Sequence, residues 1–158
     1  MKNTFKRSGA ALISLVLLFV LAVSAGAASS QNVGVKFWKE RSDKESMANS
    51  GIDPDRTATL TRQANGTYTL TLPVMQVSKL GVTGYLSGLT IGDVTYDGTL
   101  TGDFNKATAV LTIKNLPASV LTGSDVNKSV LVTCNIQMDL QVLGEINTSA
   151  RMCIWNQK

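Results

Sequence analysis

The chain has 158 residues, of which 15 are basic and 11 acidic, and it contains no histidine. This lack excludes His-ligated metals, His-ligated haem, and nucleophilic catalysis by a Ser-His-Asp triad or a Cys-His pair. Three of the basic residues (Lys2, Lys6 and Arg7) lie at the amino terminus, and without them 12 basic residues face 11 acidic ones. The formal net charge of +4 therefore gives no reason to expect nucleic-acid binding.

Residues 1–27 have the three-part pattern of a secretory signal peptide. The basic start is followed by an apolar run over residues 10–23 and by the small residues 24–27. The apolar run is about 14 residues long, which is shorter than the roughly 20 residues that span a bilayer. We therefore predict that residues 1–27 are removed on export. The remaining single domain, residues 28–158, would be secreted or associated with the cell envelope, without a stable membrane anchor.

The expected mature chain begins with a short strand and a charged loop. Val33, Val35 and Phe37 lie on one face of an extended segment, which predicts the first strand. Residues 39–51 show no sustained apolar period. They predict a loop with room for one helical or 3₁₀ turn.

The next segments indicate hairpins. Residues 57–62 and 67–72 are two Thr-rich runs on either side of Asn65-Gly66. Asn-Gly supplies the positive φ angles of a type I′ turn, so these runs predict a β-hairpin. Residues 81–102 contain six glycines between apolar residues, which favours short strands with tight turns over a helix.

The clearest strand occupies residues 130–142. Its even positions are all apolar or sulfur-containing, namely Val130, Val132, Cys134, Ile136, Met138, Leu140 and Val142. From Thr133 to Gln141 the odd positions are polar. A period of two is typical of a strand with one buried and one solvated face. The pattern therefore places the thiol of Cys134 and the thioether of Met138 on the buried face.

The spacing of these strands predicts the fold class. Seven or eight short strands without a convincing helix predict an all-β protein, and we expect an antiparallel β-sandwich in a single domain. An up-and-down barrel is the alternative architecture.

The two cysteines allow two interpretations. Two Cys in an exported chain suggest a disulfide between Cys134 and Cys153. On the last predicted strand, however, Met152 and Ile154 share the inward face, which turns Cys153 outward while Cys134 points inward. A bridge between them would need a bulge that shifts the register by one residue. The alternative is two separate thiols, with Cys134 packed in the core.

Several short motifs follow one another in the order found in NEAT (near iron transporter) domains. They are Val35-Lys36-Phe37-Trp38-Lys39, Glu45-Ser46-Met47-Ala48, Ala58-Thr59-Leu60, Gly66-Thr67-Tyr68-Thr69-Leu70-Thr71-Leu72 and Gly84-Tyr85-Leu86. The carboxyl-terminal part adds Met138, Leu143-Gly144 and Ser149-Ala150-Arg151-Met152. Over nearly all of residues 28–158 the chain resembles a divergent branch of NEAT domains in exported proteins of Gram-positive bacteria. The resemblance implies an immunoglobulin-like β-sandwich.

The resemblance also implies a haem site. In haem-binding NEAT domains a short helix with a Ser-Met element faces the final hairpin, so Ser46 would bind a propionate and Met47 would pack on the porphyrin. Those domains carry Tyr-x-x-x-Tyr in the penultimate strand, whereas residues 130–155 contain no Tyr. Met138 or Met152, with Met47, could replace that ligand because thioether sulfur is an axial haem ligand. The alternative is that these methionines fill the core.

The sequence therefore predicts a secreted, non-enzymatic binding domain. Its ligand would be haem or another apolar molecule, with a role in iron acquisition. The alternative is a structural or adhesive β-sandwich that binds a protein partner at the cell surface. We predict neither catalytic residues nor a metal site, since the two cysteines are accompanied by no His or clustered carboxylates.

Overall fold

The computed structural model describes residues 28–79, 81–139 and 144–158. The predicted signal peptide, residues 1–27, lies outside these described residues. Within them are nine β-strands: β1 (Ser29–Lys39), β2 (Ala58–Arg62), β3 (Tyr68–Pro73), β4 (Val77–Lys79), β5 (Val82–Ile91), β6 (Val94–Thr101), β7 (Val110–Leu116), β8 (Val130–Met138) and β9 (Glu145–Asn156). The predicted all-β class is therefore confirmed.

Four short 3₁₀ helices connect these strands in the described part of the chain. They are Met47–Gly51, Phe104–Lys106, Ala118–Val120 and Val126–Lys128. The first of them falls in the loop for which the sequence predicted one helical or 3₁₀ turn. No helix among the described residues is long and apolar enough to cross a membrane.

The strands form one continuous sheet that closes on itself. Their order is β4-β5-β6-β7-β3-β2-β1-β9-β8, and β8 pairs again with β5. This makes an eight-stranded closed barrel with β4 as an additional strand on β5. The prediction of a β-sandwich is therefore wrong, and so is the immunoglobulin-like sandwich that the resemblance implied. A sandwich has two separate sheets, whereas here the backbone pairing is continuous around a barrel.

Strand β5 is the reason for the closure. Its residues 84–90 pair with β8, while its residues 88–91 also pair with β6 on the opposite edge. A register shift between Leu86 and Gly88 marks a bulge at the point where β6 joins. A bulge bends a strand and increases its twist, which lets one strand serve both halves of the barrel.

The predicted hairpin between β2 and β3 is confirmed. Leu60 lies opposite Leu70 in the ladder, and Gly66 in the turn has a φ of 83°, a conformation that favours glycine. Both leucines are fully buried in the barrel interior.

Alternation along β8 and β9 fills the core as the sequence indicated. Val132 and Cys134 of β8 are buried, and on β9 the inward residues are Ala150, Met152 and Ile154. The β8 strand begins at Val130 as predicted, and it ends at Met138. Residues 140–143, between β8 and β9, lie outside the described part of the chain, and with them the predicted strand positions Leu140 and Val142.

The two cysteines are separate, buried thiols in the structure. Cys134 lies opposite Thr148 in the β8–β9 ladder, five residues along β9 from Cys153. The thiol of Cys153 points to the other face of β9 and contacts the carbonyl oxygen of Asp125 at 3.6 Å. The geometry agrees with the interpretation of two thiols, and no bridge joins them here.

Candidate functional site

An apolar cleft of about 320 Å³ opens at one end of the barrel. It lies between the 3₁₀ helix Met47–Gly51 and the end of the β8–β9 hairpin. Most of its lining is aliphatic, and the aliphatic side chains are those of Ala48, Val77, Val82, Leu86, Ile136 and Ile146. Ser46, Met47, Tyr85, Met138 and Thr148 complete the side-chain lining, together with two glycines.

The 3₁₀ helix on one side of the cleft docks against the free edge of β1. Strand β1 pairs with β2 only through residues 29–33. Farther along this edge, the N–H of Ser46 donates to the carbonyl oxygen of Phe37 at 2.9 Å. The helix therefore takes the place of a strand where β2 has ended.

Asn49 fixes the helix to β1, and sequence reasoning did not identify it. Its Oδ1 accepts a hydrogen bond from the N–H of Phe37 at 2.8 Å, and its Nδ2 donates to the carbonyl oxygen of Phe37 at 2.7 Å. The same Nδ2 also donates to the carbonyl oxygen of Ser46 at 3.1 Å. A local sequence pattern could not have indicated this role, because the partner of Asn49, Phe37, lies twelve positions upstream.

Ser46 and Met47 present their side chains from this helix. Ser46 is the N-cap residue, and its Oγ accepts a hydrogen bond from the N–H of Ala48 at 3.3 Å. Accepting that bond uses a lone pair, so the hydroxyl proton remains for donation to another group. Met47 is 58% exposed although it is a large apolar residue.

The opposite wall is the part of the β8–β9 hairpin that extends beyond β1. The last pair between β1 and β9 joins Lys39 to Ala150. Beyond it, Ile136 and Ile146 face each other across the hairpin, and Ile146 is 44% exposed. Here the inward face of the hairpin is accessible, and it lines the cleft instead of closing the core.

Gly84 makes room for Met138 in the wall of the cleft. The two residues lie opposite each other in the β5–β8 ladder. A Cβ atom built on Gly84 would be only 2.8 Å from Met138 Sδ and 3.0 Å from the carbonyl oxygen of Gln137. The thioether thus lies over a position that only glycine leaves open.

Tyr85 also belongs to the lining, and sequence reasoning did not identify it as a site residue. Its ring is inclined by 46° to that of Phe104, with the ring centroids 5.2 Å apart. Phe104 itself does not line the cleft. Tyr85 belongs to the Gly84-Tyr85-Leu86 motif of the resemblance, which was the available signal for it.

The structure brings together three of the four predicted ligand-binding residues. Ser46, Met47 and Met138 all line the cleft. Met152 has no exposed surface and packs in the core cluster beneath it. Cys134 lies in that core as well, and burial raises the pKa of its thiol from 9.0 to about 12.

The chemistry of the cleft follows from this lining. Its residues other than aliphatic ones and glycine are Ser, Thr, Tyr and Met, and the described lining residues include no acidic or basic side chain. No group of three or more His, Cys, Asp or Glu residues gathers anywhere in the described ranges. The arrangement fits a flat, mostly apolar ligand better than a hydrated ion.

Comparison with known proteins identifies the fold. No protein-family model matches the sequence, and no curated protein matches it. Among solved structures it is similar to the NEAT5 domain of IsdX2, a B. anthracis hemophore, in complex with heme, and to a mutant of that domain in complex with heme. Each match has a TM-score of 0.53 and 11% sequence identity, and covers 83% of this chain and 98% of the other. The resemblance to NEAT domains is thus confirmed at the level of the fold.

Proposed function

We propose that this chain is a secreted, non-enzymatic haem-binding domain that serves iron acquisition. The observation that carries the proposal is the apolar cleft in which Ser46, Met47 and Met138 meet. The similar solved structures are NEAT domains in complex with heme, which supports the same ligand class for this chain. The predicted signal peptide supports export.

The volume and the chemistry of the cleft support haem as its ligand. Its volume of about 320 Å³ lies within the range of small-molecule sites, roughly 300–1,000 Å³. Aliphatic walls suit the porphyrin ring, because burying apolar surface contributes about 25 cal/mol per Å². Bound haem would supply an iron with open axial positions, for which thioether sulfur is a known ligand type.

Each of the three predicted residues would have a separate task. The sulfur atoms of Met47 and Met138 would hold the iron as ligands. The hydroxyl of Ser46, with its proton free for donation, would bind a propionate at the mouth. The aliphatic side chains would exclude water from the iron.

A hemin titration of the purified protein, followed in the Soret region, tests this proposal. We expect saturable binding that is weakened at least tenfold in Met138→Leu and in Met47→Leu, since Leu preserves volume but removes sulfur. Met75→Leu is the matched control, because Met75 is 39% exposed and lies outside the lining. No spectral change with either hemin or reduced haem at micromolar concentration would overturn the proposal and would favour binding of a protein partner.

A further inference from the structure

We infer that the cleft distinguishes the two oxidation states of haem iron and binds ferrous haem more tightly than ferric haem. The inference rests on the proposed function and concerns the form of the ligand that this site selects. It follows from the donor atoms of the lining and from their charge.

The sulfur donors of the cleft are soft and neutral. Met47 and Met138 lie on two different elements of its wall, one in the 3₁₀ helix and the other in β8. Thioether sulfur is a soft ligand, and soft ligands favour the softer, lower oxidation state of a metal. Ligation by methionine also raises the reduction potential of haem in electron-transfer proteins.

The charge of the lining acts in the same direction. Ferric haem has one more positive charge at its centre than ferrous haem. Burying that charge in an apolar site is costly unless an anion lies close by. The described lining includes no Asp or Glu, so nothing in it compensates for the extra charge of the ferric form.

Tyr85 is the one lining residue whose deprotonated side chain would favour ferric iron. Its ring is engaged with Phe104, a residue outside the lining, at a centroid distance of 5.2 Å. The contact with a ring outside the lining argues against Tyr85 as a ligand of the iron.

The preference has a measurable consequence for bound haem. Binding and reduction form a thermodynamic cycle, so the affinities of the two oxidation states determine the reduction potential of bound haem relative to free haem. A tenfold tighter binding of ferrous haem raises that potential by about 59 mV. We expect a preference of at least tenfold. Loading would thus occur under reducing conditions, and oxidation would promote release.

The test compares three ligands on the same purified protein under anaerobic conditions. They are hemin, dithionite-reduced haem and iron-free protoporphyrin IX, and the reduction potential of the bound haem is measured independently. If none of the three binds, the proposed function fails. If all three bind but hemin and reduced haem do so equally, the proposed function stands and this inference fails.

Variants identify the atoms responsible. The double variant Met47→Leu with Met138→Leu should lose most of the ferrous preference and retain its affinity for protoporphyrin IX, which needs no axial ligand. Met75→Leu removes a sulfur atom outside the lining, so it should leave the preference unchanged. An unchanged preference in the double variant, or loss of hemin binding in Tyr85→Phe, would overturn the assignment of the sulfur atoms.

Discussion

Asn49 offers the sharpest test of how the site is held together, through the variant Asn49→Ala. The side chain makes three hydrogen bonds, two to the backbone of Phe37 and one to that of Ser46. After truncation the carbonyl oxygen of Phe37 still accepts from the N–H of Ser46, whereas the N–H of Phe37 loses the partner that Asn49 provides. A buried donor without a partner costs about 1–3 kcal/mol.

The expected loss of unfolding free energy is therefore about 3–5 kcal/mol, since the two other bonds each contribute about 1 kcal/mol. Denaturant unfolding of the purified protein measures it. Hemin affinity should fall as well, because the helix that carries Met47 is no longer fixed to β1.

Two matched variants make the measurement specific. Asn49→Asp retains an acceptor for the N–H of Phe37 but turns a second carboxylate oxygen toward the carbonyl oxygens of Phe37 and Ser46, so it should not restore the stability of the wild type. Ser50→Ala changes an exposed neighbour on the same helix and should leave stability within about 0.5 kcal/mol of the wild type. An Asn49→Ala protein as stable as Ser50→Ala would refute the reasoning.

Two further predictions concern the core beneath the site. Met152→Ala should lower the unfolding free energy by about 2–5 kcal/mol, because Met152 is fully buried. The hemin affinity of the folded variant should not change, and a loss of binding at full stability would instead make Met152 a ligand. The raised pKa of Cys134 favours the protonated thiol in the folded state, so its contribution to stability is complete below pH 9 and is lost between pH 9 and about 12. Denaturant unfolding measured from pH 9 to about 12 should show that the unfolding free energy of Cys134→Val falls less steeply with pH than that of the wild type, by up to about 1.4 kcal/mol per pH unit. Parallel plots of unfolding free energy against pH would contradict this.

Local patterns predicted the strands well, because each pattern reports on residues close together in the chain. The alternation along β8 and the Asn65-Gly66 turn depend only on backbone geometry and on which face is buried. Closure of the barrel depends on β5, whose two edges pair with strands distant in sequence. Periodicity reports the faces of a strand but not the partners of its edges, and for that reason it predicted a sandwich.

The site was predicted in part for a similar reason. Ser46 and Met47 were predicted from a motif of consecutive residues, which can be recognised in the sequence. The structure places both residues in the cleft together with Met138. Asn49 and Tyr85 are engaged with residues that the chain brings near only after folding, Asn49 with Phe37 and Tyr85 with Phe104. Neither interaction leaves a periodic trace in the sequence.

The different positions of Met138 and Met152 show what determines the cleft. Both residues lie on the inward face of the same hairpin, so the alternation of side chains along the strands does not distinguish them. Met152 lies opposite Phe37, where β1 covers β9, whereas Met138 lies beyond the point at which β1 ends. The end of β1 at Lys39 thus divides one continuous inward face into a closed core and the open cleft. Gly84 then keeps the space over Met138 free, so the cleft arises from the length of one strand and the absence of one side chain.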